Sequence, residues 1–420
     1  MTLYFPLILF FFLGYAGIIF ETIVRLNKAA TAILMAAGCW LIYFIAFHGQ
    51  AALLTVMNEP VGDVAQIIFF LMAVMAIVEL IDSHQGFKVI TDLLHTTSKR
   101  KMLWLILLIS FFMSSVLDNL TSMIVMISLL RKLVPERQDR WFLGSLVVIS
   151  VNAGGAWTPI GDVTTTMLWI NHRITSWETI RILFLPSVVC AGVAGLLSSL
   201  FVRGNTRPVI AKSSKMEPGA RRVLFGGILA LVMIPVWKGI FHLPPFMGAL
   251  IGLGVLWLLT DLIHFEYKEQ RSHLRVPHIL GKIDTSGILF FLGILLAVSA
   301  LTTAGVLKDF ATLLDRWLPN QNYVAVFIGL ISSVVDNVPL VAATFGMYDL
   351  GRFPVDSTFW QLVAYAAGTG GSILIIGSAA GVAFMGLENI DFFWYLKRIS
   401  WIALISYFAG LATYFLLISL

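Results

Sequence analysis

The stretch Ser115-Val116-Leu117-Asp118-Asn119 returns as Ser333-Val334-Val335-Asp336-Asn337, and each copy lies inside an otherwise apolar run. The two aspartates stand 218 residues apart, about half of the 420-residue chain. A carboxylate in hydrocarbon costs about 2.5 kcal/mol or more, so an acid at membrane depth is a functional-site candidate. Two such acids in equivalent places suggest one site assembled from two repeats.

Composition sets the solvent. The chain is 59% hydrophobic and 12% charged, with a mean hydropathy of +0.90, whereas a soluble domain carries about 25% charged residues. An all-α polytopic membrane protein is expected. The net charge of +5 gives no reason to expect nucleic acid, because the placement of the charges matters more than their sum. The N-terminal residues lack the basic region and small-residue cleavage site of a removed signal, so they read as the first span. Cys39 and Cys190 lie far apart in apolar segments and read as core packing, with neither a disulfide nor a zinc site expected.

Apolar runs of spanning length cover 2–20, 29–48, 64–83, 141–171, 178–202, 224–241, 246–263, 286–304, 359–388 and 399–418. The runs holding the two aspartates, 103–130 and 321–345, need separate treatment. Residues 103–130 are flanked by Lys99-Arg100-Lys101 and by Arg131-Lys132, Arg137 and Arg140. Basic flanks on both sides place both ends in the cytoplasm. The segment then enters and leaves by one face, as a re-entrant hairpin with Asp118-Asn119 at its tip. Asp and Asn are good helix N-caps, so the second arm can start there. The run 321–345 is flanked by Asp315, Asp349 and Asp356 and enters from the opposite face. Threaded this way, all of the 28 Lys and Arg lie inside except Arg173, Arg181, Lys238, Lys308, Arg316 and Arg352, and both termini lie outside.

Other marks repeat at nearly the same interval. Gly154-Gly155 matches Gly370-Gly371, and Gly161 matches Gly377. Each half therefore reads as five transmembrane helices plus one re-entrant hairpin, with a glycine-broken helix at the midplane. Five spans is an odd number, so the two repeats are inverted. The first covers 1–203, a basic cytoplasmic linker 204–222, and the second 223–420. Segments 85–98 and 305–318 precede the hairpins and suggest surface-lying amphipathic helices.

The broken helices carry chemistry. Asn152-Ala153-Gly154-Gly155-Ala156-Trp157-Thr158-Pro159-Ile160-Gly161-Asp162 interrupts one span; Gly368-Thr369-Gly370-Gly371-Ser372 and Gly377-Ser378 interrupt its partner. Such runs free backbone carbonyls, which lipid cannot satisfy and a cation can. Helix packing is the plainer reading of a single glycine run. Neither run has the Gly-Lys-Ser/Thr of a phosphate loop.

The acids favour a cation. Asp118 and Asp336 sit at the tips, Asp162 follows the first break, and Ser378 holds the matching place in the second half. No Lys or Arg is expected at their depth. Burial favours a protonated carboxyl and a helix N-terminus favours the ionised one, so H+ and a small cation can compete for the same oxygens. Asn119 and Asn337 add amide oxygens, and Thr158, Thr369, Ser372 and Ser378 hydroxyls, although a hydroxyl is as readily back-bonded to its own helix. Thr121 in the first half faces Pro339 in the second, so the half-sites are unequal. Glu79, Asp82 and His84 at the inner end of the third span form a candidate proton relay, with a solvated interfacial histidine as the alternative for His84. His264, His273 and His278 fall in a cytoplasmic loop.

The paired Ser-Val-x-Asp-Asn motifs, with the glycine-rich runs at 152–162 and 368–372, resemble the NhaD-type sodium/proton antiporters. That family sits in the ion transporter superfamily beside arsenite pumps and divalent anion/sodium symporters. The resemblance spans essentially the whole chain. It implies opposed hairpins, a scaffold and a transport domain, elevator-like alternating access and a homodimer. In the anion symporters the tip motif is Ser-Asn-Thr; Asp118 and Asp336 here stand where a cation is the cargo. The matched residues are Asp118, Asn119, Thr158, Asp162, Asp336, Asn337 and Ser378. The expected protein is a Na+(Li+)/H+ antiporter of a bacterial inner membrane, with no cofactor and no enzymatic activity. Asp118 and Asp336 would bind Na+. An oxyanion or di/tricarboxylate carrier of the same fold is the alternative. An intramembrane aspartyl protease is disfavoured, because Pro159-Ile160-Gly161-Asp162 lacks the first glycine of Gly-x-Gly-Asp.

Overall fold

A computed structural model describes residues 4–19, 26–46, 53–91, 96, 98–202, 204, 217, 219–265, 272–318 and 320–419. Most of the expected linker, and residues 92–95 and 97 of the first surface helix, lie outside the described residues. Every labelled element is an α-helix. In chain order they are α1 (Phe5–Ile19), α2 (Lys28–Ala46), α3 (Leu53–Ser83), α4 (Lys99–Ser114), α5 (Asn119–Leu133), α6 (Arg137–Ala156), α7 (Val163–Ile170), α8 (Ser176–Ser199) and α9 (Ala220–Phe241). There follow α10 (Pro245–Ile263), α11 (Thr285–Thr303), α12 (Val306–Trp317), α13 (Gln321–Ile331), α14 (Asn337–Met347), α15 (Thr358–Gly370), α16 (Ala379–Glu388), α17 (Phe392–Arg398) and α18 (Ser400–Ser419). Among the described residues, seven helices are long and apolar enough to cross a membrane.

The spans fall close to their expected places, with two informative shifts. α3 begins at Leu53 rather than 64, because the polar turn with Glu59 and Asp63 continues the same helix. The break in 141–171 is narrower than the glycine-rich run suggests. α6 runs through Gly154-Gly155 to Ala156 and stops at Trp157, just before Pro159. α7 restarts after Asp162. In the second half α15 ends at Gly370 and α16 restarts after Ser378. The glycine pairs thus close the last helical turn, and the irregular backbone follows them. At both breaks a late glycine allows contact with a hairpin tip. A Cβ at Gly161 would lie 2.6 Å from the Ser114 carbonyl, and one at Gly377 would lie 2.5 Å from that of Ser333. No side chain fits at either place.

The two Ser-Val-x-Asp-Asn stretches are turns between short helices. Asp118 caps α5 and Asp336 caps α14. Their serines repeat one another's bonds. Ser114 Oγ donates to the Val151 carbonyl of α6 (2.6 Å), and Ser332 Oγ donates to the Ala367 carbonyl of α15 (2.9 Å). Ser115 and Ser333 each donate three residues back, to Phe112 and Leu330. These bonds satisfy hydroxyls and carbonyls that lipid could not.

Packing divides the helices into two bundles. α1, α2, α3, α9, α10 and α11 pack on one another; α4 to α8 pack with α13, α15, α16 and α18. In the second bundle α5 lies against α16, while α7 lies against α14 and α15, so each broken helix touches the other half's turn. α14 also packs on α11, which ties the second turn to the first bundle. α12 is the amphipathic helix expected over 305–318: Leu307 and Ala311 are buried while Lys308, Asp309 and Thr312 face outward.

Candidate functional site

Asp162 is the hub of the buried polar residues. It is 2% exposed, at the restart of the first broken helix. Oδ1 accepts from Asn119 Nδ2 (3.1 Å) at the first tip, and Oδ2 accepts from Asn337 Nδ2 (3.3 Å) at the second. Thr164 Oγ1 donates to Oδ2 as well (2.5 Å). All three of these donors are neutral. Each tip asparagine turns its amide N–H toward Asp162, which turns its carbonyl oxygen away.

Asn152 links the two halves and was absent from the sequence-derived ligand set. It is fully buried near the end of α6. Its Nδ2 donates to Ser372 Oγ and to Ser378 Oγ (both 2.9 Å), and its Oδ1 accepts from Asn119 Nδ2 (3.0 Å). Ser378 Oγ also accepts from Gly381 N (3.2 Å), which caps α16. A continuous network therefore joins Asp162, Asn119, Asn152, Ser372 and Ser378. The one sequence signal for Asn152 is an amide inside an apolar span; Thr164 carries none beyond lying two residues from Asp162.

The tip aspartates differ. Asp118 accepts from Thr121 N (2.8 Å) and Thr121 Oγ1 (2.6 Å). Asp336 caps α14 through a longer bond from Val338 N (3.3 Å), and among the described residues no side-chain donor reaches it. It lies within electrostatic reach of Tyr15 in α1 and Lys28 at the start of α2, so the second tip faces the first bundle. The Lys28 ammonium sits 4.9 Å from the Phe290 ring centre. This modifies the expectation of a base-free interior, since one ammonium acts on the second tip. Both tip aspartates are in turn within electrostatic reach of Asp162. Among the described residues, however, no three Asp, Glu, His or Cys side chains converge to hold a metal ion, so the three carboxylates surround a region rather than a point.

The remaining candidates have local roles. Thr158 Oγ1 donates to the Ser115 carbonyl (2.7 Å) and fastens the break to the first turn. Thr369 Oγ1 is back-bonded to the Tyr365 carbonyl (2.6 Å). Glu79, Asp82 and His84 are not joined to the Asp162 network by any described hydrogen bond. Glu79 accepts from Ser83 (3.0 Å), whose hydroxyl accepts from Lys282 (3.2 Å). His84 is fully buried rather than solvated, and His264 caps α10 instead of lying in a loop. Their Nε2 atoms are 2.9 Å apart, and His84 Nδ1 is 2.7 Å from the Leu80 carbonyl. Burial, first of all, pushes the His84 imidazole below its ordinary value, with the neighbouring His264 adding to this.

Two charged clusters close the ends of the second bundle. Glu388, at the end of α16, is 4% exposed and accepts from Arg131 Nε and Arg140 Nε (2.7 Å each). At the other end Asp356 accepts from Thr175 N and Oγ1 (2.6 Å each) and from Gln361 Nε2 (3.0 Å). Each links a broken helix's connection to the other half.

Irregular helices inside a multi-helix apolar bundle, with carboxylates and amides converging where they break, define a membrane transporter rather than an enzyme. A family model described as a citrate transporter matches residues 15–363. Sodium/proton antiporter 1 of Arabidopsis thaliana is 52% identical over 97% of this chain and 71% of its own length. Sodium/proton antiporter 2 of the same plant is 49% identical over 97% of this chain and 98% of its own. The Na(+)/H(+) antiporter NhaD of Vibrio parahaemolyticus is 30% identical over 90% of this chain and 97% of its own. The chain belongs to this NhaD-type sodium/proton antiporter family, within the group that the citrate-transporter model describes.

Proposed function

We propose that the protein exchanges Na+ or Li+ for H+ by alternating access around Asp118, Asp162 and Asp336. The observation that carries this is the bonding of Asp162: a buried carboxylate, held by asparagines from both tips, with no cationic partner in any described ion pair. A buried carboxylate needs a compensating charge. With two further carboxylates nearby, that charge is an arriving cation or proton. Binding of one displaces the other, and this competition couples the two fluxes. The relatives' names supply the same pair of ions.

The repeated serine bonds, the reciprocal contacts of α5 with α16 and α14 with α7, and the glycines at 161 and 377 support two inverted repeats. In that reading the two turns are re-entrant hairpins from opposite faces. The first bundle is the scaffold and the second the elevator-like transport domain, and a second copy completes a homodimer. The proton-driven direction is Na+ outward. Bacterial relatives favour an inner membrane, while the Arabidopsis relatives extend the family to plants.

The carboxylate-carrier alternative has the family model's description behind it. The site opposes it: three acids face the region where a citrate would have to sit, and like charges repel at low dielectric. The test is Na+-induced dissipation of a pH gradient in everted vesicles, for wild type and for Asp118→Asn, Asp162→Asn and Asp336→Asn, with citrate and arsenite as alternative cargoes. Exchange with Na+ or Li+ is expected in wild type and should be lost in Asp162→Asn. Undiminished exchange in all three variants would overturn the site. A wild type that moves citrate and ignores Na+ and Li+ would overturn the function.

A further inference from the structure

A cavity of about 410 Å³ opens where the ends of four segments meet: the start of α4, the start of α6, the chain just after α8, and the α17–α18 junction. All four carry, or adjoin, the basic flanks that mark the cytoplasmic face. The cavity has a polar and an apolar side. On the polar side are Lys99, Asp139 and Arg398; Phe142, Phe201 and Trp401 contribute to the apolar side. Lys99 pairs with Asp139 and stands 3.9 Å from the exposed Glu136, so its charge is taken up. Arg398 is exposed and, among the described residues, enters no ion pair, so it is the unpaired cation of the lining. The indole N–H groups of Trp394 and Trp401, both on the lining, have no acceptor among the described residues.

The apolar rim reaches the side of the bundle. Phe201 is 62% and Trp401 38% exposed, and their rings meet edge to face at 5.9 Å. Trp394 packs edge to face on Trp141 at 5.3 Å, so the inner wall is fixed. A tryptophan-lined cleft with a free guanidinium, open sideways at a span end, matches an amphiphile with one negative charge. A guanidinium binds a phosphate through two parallel N–H bonds, and indole N–H groups suit the headgroup level. Basic pockets between helices on the cytoplasmic side are the usual seats of anionic headgroups.

We propose that this cavity binds an anionic phospholipid of the cytoplasmic leaflet, its phosphodiester on Arg398 and its acyl chains against Phe201 and Trp401. The lipid would bridge α4 and α6, which carry the first turn and Asn152, to α8 and α18 at the bundle's edge. A zwitterionic lipid leaves Arg398 uncompensated, because its own cation cancels the phosphate.

The test is the thermal stability of the purified full-length chain in detergent, titrated with phosphatidylglycerol, phosphatidylcholine or inorganic phosphate. Phosphatidylglycerol is expected to raise Tm saturably by a few degrees, with phosphatidylcholine and phosphate giving less than half of that. Arg398→Gln should remove most of the phosphatidylglycerol shift. Trp401→Phe, which keeps an aromatic ring and removes the N–H, should reduce it. Equal shifts from both lipids, an unchanged shift in Arg398→Gln, or a full shift from phosphate alone would each overturn the proposal. Both variants alter partly exposed residues, so folding is expected to survive.

Discussion

The turns at 115–119 and 333–337 share four of their five residues and differ in how their aspartates are held. Asp118 is satisfied within its own helix, by two donors from Thr121. In the second turn the third helical position is Pro339, which has neither an amide N–H nor a hydroxyl to offer. Asp336 is left with backbone donors alone, Val338 N at 3.3 Å and the Asn337 amide, and looks across to Tyr15 and Lys28 in the other bundle. One substitution thus turns a capped carboxylate into an available one. It also places the available one at the boundary between the bundles, where relative movement would change its surroundings. The lesson is that a repeated motif builds a frame, and the residues outside the motif decide what each copy does.

The largest effect expected at the tips tests that difference directly. Asp336→Asn should lower Na+-dependent exchange by about a hundredfold, equivalent to about 2.7 kcal/mol. Asp118→Asn should cost about tenfold, because Thr121 already takes up much of that carboxylate's bonding capacity. Initial rates of pH-gradient dissipation over a Na+ series measure both. Equal losses would remove the distinction between the tips.

A second asymmetry lies between the tips. The repeat interval places Gly368 opposite Asn152, so only the first half supplies the amide that reaches Ser372 and Ser378. Asn152→Ala would leave Asn119 and two buried serines short of partners. It should destabilise the protein by about 2–3 kcal/mol, since each buried unpaired group costs about 1–3 kcal/mol. The thermal transition of the purified chain is the readout, with exchange measured below it.

The frame could be read from the sequence because hydrocarbon penalises every unsatisfied polar group. Asp118, Asp336 and the glycine runs stand out against apolar neighbours for that reason, and basic flanks mark the first turn while acidic ones mark the second. Two features escaped. Asn152 looked like one more residue of a glycine-rich break, because the α6 helix actually continues to Ala156 and its partners come from the other half. His84 looked solvated because it ends a span, and its burial depends on His264, 180 positions away. Local pattern records the cost of burial; it does not record which distant group removes that cost.

Swapping the third helical position gives a smaller effect and a sharper test. Thr121→Val removes the hydroxyl donor to Asp118 and keeps the amide N–H. Freed of a competing donor worth about 1 kcal/mol, Asp118 should bind Na+ several-fold more tightly. Pro339→Thr supplies the donors to Asp336 and should weaken Na+ by a similar factor. KM for Na+ moving in opposite directions in the two variants sustains the account of the tips. Movement in one direction for both would replace it with a general effect on hairpin stability.

The smallest effect concerns the buried imidazole pair, where α3 meets α10. A carbonyl oxygen only accepts, so His84 Nδ1 carries the hydrogen toward Leu80. In the neutral ring Nε2 is then bare, and His264 Nε2–H must donate to it. A proton added at His84 Nε2 would set two donors face to face. Burial, then His264, holds the His84 imidazole below its ordinary value of 6.5, while Leu80 and Glu217 act against them and His273 with them. The sign follows: the unfolded chain takes up the proton more readily, so stability is full above about pH 6.5 and falls as pH drops further. Protection at 80–84 and 260–264, taken as the exchange rate relative to the intrinsic base-catalysed rate, should therefore fall between about pH 7 and pH 5.5 in wild type. In His84→Gln the amide can donate to the Leu80 carbonyl and accept from His264 without titrating itself. The acid sensitivity of those amides should shrink, while exchange at the Asp118 and Asp336 tips keeps its own pH dependence. Persistence of the full acid response in that variant would place the titrating group elsewhere.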